Sequence, residues 1–168
     1  MNNIEAPEQP ATPSSGVPLD RLVSKPFDQG WFNRDKKDYE TPDNIFNPLN
    51  EEFGFTLDVC SNDANAKCER HYTEEDDGLN MEWNGVCWMN PPFGRVMKKW
   101  VKKAFDEWKR GNTVVCLLPA RTNTVWWHDW VMQGEVRFLR GEIKFKGYER
   151  GLWMPMAIVV FKACQRLA

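Results

Sequence analysis

Three strand-length apolar runs and one amphipathic stretch constrain this chain more than any other feature in it. Val86–Met89 and Ala157–Phe161 are short apolar segments, and Thr113–Leu118 is a continuous run of the kind buried on both faces of a sheet. Met97, Trp100, Val101, Ala104, Phe105 and Trp108 recur at helical spacing, and Gly111 stops that pattern. Around this frame, Thr41 reads as a helix N-cap with Pro42 at the first helical position, opening a helix through about Glu52. Phe55–Cys60 reads as a first strand, residues 61–84 as turn-rich with one short helix, and Thr124–Trp130 as a helix. Val136–Leu139 and Ile143–Phe145 read as strand segments before the closing strand. The alternation implies an α/β fold with a mostly parallel sheet and an antiparallel C-terminal strand. In open sheets of this kind ligands sit beyond the carboxyl ends of the strands, where Asp58, Asn90 and Arg121 all fall.

Length and composition narrow the class. The 168 residues suit one domain with a real core, and 42% hydrophobic content with nine tryptophans excludes a disordered chain. Residues 1–20, rich in Pro, Ser, Glu and Ala, read as a mobile tail, with Trp31-Phe32 beginning ordered structure and a single domain over 21–168. No apolar run is long enough for a membrane span, and the polar, acidic start does not resemble a signal peptide. Five cysteines without a Cys-x-x-Cys pair suit reduced thiols in a cytoplasm. Cys60, Cys68 and His71 lie close together but lack a fourth ligand and a zinc-finger spacing, so no metal is expected. The net charge is only −2, yet it is split. Residues 1–93 carry 7 basic and 18 acidic side chains, and residues 94–168 carry 15 basic and 6 acidic. That polarity suits a nucleic-acid-facing second half, although Lys98, Lys99, Lys102 and Lys103 also read as a solvated helix face.

The strand Val86–Met89 runs directly into Asn90-Pro91-Pro92-Phe93. This turn suits transfer of a methyl group to a planar, conjugated amino nitrogen, whose lone pair is delocalised into the neighbouring ring or carbonyl. Two acceptors, the Asn90 side-chain oxygen and the Pro91 carbonyl, can draw the N–H bonds out of plane and free that lone pair. Pro91 and Pro92 fix φ and contribute no N–H donor, leaving a stiff turn rich in acceptors. Phe93 adds a flat face for an extruded base.

These residues stand in a consistent series. Thr41-Pro42-Asp43-Asn44-Ile45-Phe46, Phe53-Gly54-Phe55-Thr56-Leu57-Asp58-Val59, Asp77-Gly78-Leu79 with Trp83, Asn90-Pro91-Pro92-Phe93, and Leu117-Leu118-Pro119-Ala120-Arg121-Thr122 follow in order. The series, covering about Thr41 to Phe161, resembles the phage-type DNA N6-adenine methyltransferases, small class I (Rossmann-like) enzymes that use S-adenosyl-L-methionine. The resemblance implies methyl transfer to the N6 amine of a flipped-out adenine in double-stranded DNA, in the bacterial host cytoplasm for a phage-borne enzyme. It further implies that Asp58 helps hold the methionine end of the cofactor, that Thr41-Pro42 covers that end, and that Asp77 meets the cofactor adenine. Within the acidic run Glu74-Glu75-Asp76-Asp77, Asp77 equally reads as a solvated turn residue. The chain departs from the family pattern in two ways. No Gly-x-Gly follows Asp58, and only 31 residues separate Asp58 from Asn90. Two further βα units would need roughly 60 residues. The sheet is therefore expected to be a trimmed one, with no position evident for the carboxylate that grips the cofactor ribose.

For DNA contact, Arg121 and Thr122 share the strand-end rim with Asn90, and Lys98 and Lys102 lie on the basic amphipathic helix. Two rival readings stay open. The same turn serves enzymes that methylate a glutamine amide in protein or adenine in RNA, and the trimmed first half also suits an inactive nucleic-acid-binding module.

Overall fold

The computed structural model describes residues 39–163, so the readings for residues 1–20 and for Trp31-Phe32 lie outside the described residues. The elements run α1 (Asp43–Phe53), β1 (Leu57–Asp58), β2 (Val86–Met89), α2 (Met97–Lys109), β3 (Thr113–Pro119), α3 (Val125–Asp129), a 3-10 turn (Val131–Gln133), β4 (Glu135–Phe138) and β5 (Met156–Phe161). They build a five-stranded sheet in the order β1-β2-β3-β5-β4. β1, β2 and β3 pair in parallel, and β5 is antiparallel to both β3 and β4. Four strands thus point one way and the C-terminal strand points back between two of them, the mixed α/β sheet expected from the apolar runs.

The long runs are apolar throughout because both sheet faces are covered. On one face Cys87, Met89, Val114, Cys116, Val159 and Phe161 pack against Trp100, Val101 and Ala104 of α2 and against Trp126 and Trp127 of α3. The alternate residues Trp88, Val115, Leu117, Ile158 and Val160 are buried too. There Phe46 of α1 meets Trp88 edge-on at 5.5 Å. Gly111, at φ +102°, follows the C-terminus of α2 in a conformation that glycine adopts without steric cost.

Several boundaries differ from the sequence reading, each for a visible reason. Helix α1 starts at Asp43, with Pro42 extended at the N-cap and Thr41 outside the helix. The Thr41 hydroxyl is engaged elsewhere, as described below. The first strand shrinks to Leu57–Asp58, and the returning chain pairs with its other edge: Asp58 N–H donates to Arg70 C=O at 3.0 Å and Tyr72 N–H to Asp58 C=O at 2.9 Å. This return covers the β1 edge, and residues 61–84 form turns without the short helix. Thr124–Trp130 shortens to a one-turn helix plus the 3-10 turn. Ile143–Phe145 is not a strand; Ile143 makes a single bridge to Leu152, and Lys146 bridges back to Glu40.

Gly78 lies where the turn region crosses under β1. A Cβ at this position would stand 2.3 Å from the Val59 carbonyl oxygen and 3.2 Å from the Trp100 ring. Gly78→Ala is therefore expected to cost about 1–3 kcal/mol of stability by overpacking against backbone. Thermal unfolding checks it, and an unchanged melting temperature would show that the crossing can relax.

Candidate active site

Parallel pairing of β1 with β2 puts Asp58 opposite Trp88, so the ends of both strands open on one rim. A pocket at that rim is lined by Thr41, Asp58, Trp88, Asn90, Pro91 and Pro92, with Lys67 and Glu74 also at its wall. Of the residues singled out in the sequence, Thr41, Asp58, Asn90, Pro91 and Pro92 are brought together here.

Asn90 is held by its amide nitrogen. Nδ2 donates to the Tyr39 carbonyl at 2.6 Å and to Thr41 Oγ1 at 3.0 Å. A carbonyl can only accept, so the NH2 must face Tyr39 and the orientation of the amide follows from the network. Its other atom, Oδ1, is buried and has no hydrogen-bond partner. A buried carboxamide oxygen left unpaired is costly, and such orphans call for a functional explanation. The Pro91 carbonyl beside it likewise accepts no hydrogen bond among the described residues.

Asp58 is only 3% exposed. Lys67 N–H donates to Oδ2 at 3.0 Å and Cys60 N–H to Oδ1 at 3.3 Å. Burial nevertheless dominates and raises the Asp58 carboxyl above its ordinary range, against the pull of those two donors. Burial likewise pushes the neighbouring Cys60 thiol well up, so it stays neutral and is not activated as a nucleophile.

The segment before α1 closes one side of the site. Glu40 pairs with Lys146 at 2.8 Å and Lys67 at 3.6 Å, and Asp43 pairs with Lys67 at 3.0 Å and Lys146 at 3.1 Å. A backbone bond from Lys146 N–H to Glu40 C=O at 3.1 Å adds to the latch. Above it, Tyr39 is sandwiched between Phe93, at 4.8 Å between ring centroids, and Tyr148, at 5.0 Å. Phe145 meets Tyr39 and Phe93 edge-on. Phe93 is therefore half-buried in an aromatic wall and does not stand as a bare platform.

The remaining sequence candidates do not line the pocket. Pro42 sits at the helix N-cap just beyond it. Asp77 is exposed in a left-handed turn, φ 51°, and accepts from Asn80 Nδ2 at 2.6 Å. Arg121 and Thr122 are exposed in the turn after β3, where the Arg121 carbonyl accepts the Thr124 hydroxyl at 2.7 Å. Lys98 and Lys102 lie on the outer face of α2, each 6.0 Å from the Trp130 ring, and Lys102 is paired with Asp106 at 2.6 Å. Among the described residues no group of three His, Cys, Asp or Glu side chains is placed to hold a metal ion. His71 instead meets Asp63 at 3.0 Å and the Glu69 carbonyl at 3.1 Å. No helix among the described residues is long and apolar enough to cross a membrane.

The strand-end pocket thus sets a buried carboxylate and an orphaned amide oxygen beside a di-proline turn. The sequence model of the DNA N-6-adenine-methyltransferase (Dam) family matches residues 31–156, and the chain belongs to this family. A DNA N-6-adenine-methyltransferase of Escherichia phage T1 is 33% identical over 91 residues, which cover 52% of this chain and 38% of the relative. Another, from Haemophilus phage HP1 (strain HP1c1), is 32% identical over 95 residues, covering 55% of each chain. The chain thus spans about half or less of the length of these two relatives.

Proposed function

We propose that this protein transfers a methyl group from S-adenosyl-L-methionine to the N6 amine of a flipped-out adenine in double-stranded DNA. The observation that carries the reading is Asn90 Oδ1, buried without a hydrogen-bond partner on a residue that lines the pocket. Family membership and the phage relatives support it. The sheet, with its reversed C-terminal strand and no helix between β1 and β2, suits a trimmed class I architecture.

The residues present fit the donor. S-adenosyl-L-methionine supplies an electrophilic methyl group on a sulfonium and carries a cationic amine at its methionine end. Asp58 is a buried carboxylate whose desolvation cost an opposite charge would offset. Asn90 Oδ1 and the Pro91 carbonyl would accept the two N–H bonds of the adenine amine and hold its lone pair toward the methyl group. Alignment of this kind supplies up to roughly 7–11 kcal/mol of a barrier. No strong base is required, because the methylated, cationic amine loses its proton readily to water. The aromatic wall around Phe93 would stack the extruded base, offsetting the few kcal/mol that flipping costs. Lys98 and Arg121 are proposed to contact phosphate from the rim, and the basic second half suits that partner. For a phage-borne enzyme acting on DNA, the proposed location is the cytoplasm of the bacterial host.

The test is one incubation with methyl-tritiated S-adenosyl-L-methionine and, in parallel, DNA, RNA and protein acceptors. Label in DNA alone is expected. Label confined to RNA or protein would transfer the same chemistry to a different acceptor, and no label anywhere with intact cofactor binding would mark an inactive binding module.

Asp58→Asn separates the cofactor role from folding. The folded-state Asp58 titrates above its unfolded value, so its contribution to stability is fully present below about pH 3.8 and is lost as pH rises through the folded value. At neutral pH the isosteric amide removes that penalty but sets its NH2 against one of the two backbone N–H donors, so a modest fall in melting temperature is expected. Calorimetry should show cofactor affinity falling about tenfold or more, the scale of a lost charge-assisted hydrogen bond. Unchanged affinity would remove Asp58 from the cofactor site.

A further inference from the structure

We infer that the Thr41 hydroxyl and the Tyr39 carbonyl are positioning groups for Asn90, fixing its amide so that the oxygen faces the acceptor pocket. The inference deepens the methyl-transfer reading and rests on it for its catalytic consequence. A free carboxamide can turn over, and the two orientations present opposite chemistry: an acceptor in one, a donor in the other. An NH2 aimed at the adenine amine would meet donors with a donor and withdraw the acceptor that frees the lone pair.

One of the two holders selects the acceptor orientation and the other pins the amide in it. Tyr39 C=O, 2.6 Å from Asn90 Nδ2, excludes the flipped amide because two oxygens would face each other. Thr41 Oγ1, at 3.0 Å, takes the second amide proton. Thr41 is 2% exposed, so water does not substitute for it. Thr41 lies outside α1, one residue before the extended Pro42 at its N-cap, and its hydroxyl meets Asn90. The latch of Glu40 and Asp43 with Lys67 and Lys146 holds both partners in place on either side of Thr41. Asn90 and its two holders are separated by about fifty residues of chain (49 and 51), so α1 and the β2 turn form one functional unit.

Thr41→Val keeps the shape and removes the hydroxyl, and Thr41→Ser keeps the hydroxyl. Two readouts are taken on each. The first is the Asn90 side-chain amide pair in nitrogen-15-labelled protein, assigned by its loss in Asn90→Ala. In wild type both protons should exchange slowly with water, and in Thr41→Val one of them should exchange much faster, with Thr41→Ser like wild type. The second is the single-turnover methylation rate at saturating cofactor, expected to fall about tenfold in Thr41→Val and to recover in Thr41→Ser. Cofactor affinity should stay near wild type in both, and Thr41→Val should melt somewhat below Thr41→Ser because it leaves a buried amide N–H unpaired.

An unchanged amide pair in folded Thr41→Val would overturn the inference. So would a rate loss explained wholly by weaker cofactor binding, which would make Thr41 a cover for the cofactor alone. If wild type fails to methylate DNA, the functional reading falls, while the amide protons still decide whether Thr41 holds Asn90.

Discussion

Replacing Asn90 by alanine is expected to cut methyl transfer to DNA by about a hundred- to a thousandfold, the scale at which a preorganised polar group is lost from a reacting centre. Cofactor affinity should stay within a few-fold, because the proposed role of Oδ1 is toward the acceptor amine and not the cofactor. The loss should therefore appear in the catalytic rate and only weakly in binding. Asn90→Asp is a sharper probe. A carboxylate still offers an acceptor to the pocket, but its second oxygen would face the Tyr39 carbonyl across the 2.6 Å now bridged by an N–H. Protonation lets that oxygen donate to Tyr39 and restores the arrangement. The facing carbonyl and the burial both raise the carboxyl pKa of this variant. Its activity relative to wild type should accordingly be low at neutral pH and rise as pH falls. A ratio flat with pH would mean that Tyr39 does not constrain residue 90.

Truncating Phe93 to alanine is expected to lower DNA methylation by roughly ten- to a hundredfold, since an aromatic face contributes about 1–3 kcal/mol of base stacking. Phe93→Tyr and Phe93→Trp should be tolerated. The ring also stacks on Tyr39 and packs against the core, so the alanine variant should melt below wild type as well. The deciding measurement is specific activity of the folded variant far below its melting temperature. Full specific activity there would make Phe93 purely a packing residue and leave the base to stack on another ring of the wall.

Strand and helix existence was legible where periodicity or apolar continuity was strong, as for Val86–Met89, Met97–Lys109 and Met156–Phe161. These segments are buried on a face or on both, and burial is what patterns a sequence. The ends of β1 and the stretch 143–145 were misread because pairing there is with distant chain, Val86 and Trp88 beside β1 and Leu152 opposite Ile143. The same limit applies at the site. Asn90, Pro91, Pro92, Asp58 and Thr41 carried local signals and do meet around one pocket. Tyr39 contributes through a backbone carbonyl, which no side-chain motif encodes. Lys67 contributes through its backbone N–H to Asp58 and its side chain to Glu40 and Asp43, and nothing near it in the sequence marks those contacts. Thr41 was visible as a helix-start residue, and its actual partner, 49 positions away, was not. Asp77 read equally as a cofactor-binding acid and as a turn residue, and it lies in a turn, accepting from its neighbour Asn80.

The central claim is that Asn90 directs a methyl group onto the N6 amine of adenine in DNA. The most direct measurement is chromatographic separation of the nucleosides from DNA incubated with the protein and methyl-labelled S-adenosyl-L-methionine, run beside the Asn90→Ala variant. Label in N6-methyl-2'-deoxyadenosine from the wild-type reaction, and nearly none from the variant, is the predicted result. Label in a methylated deoxycytidine, or equal N6-methyl-2'-deoxyadenosine from the variant, would contradict it.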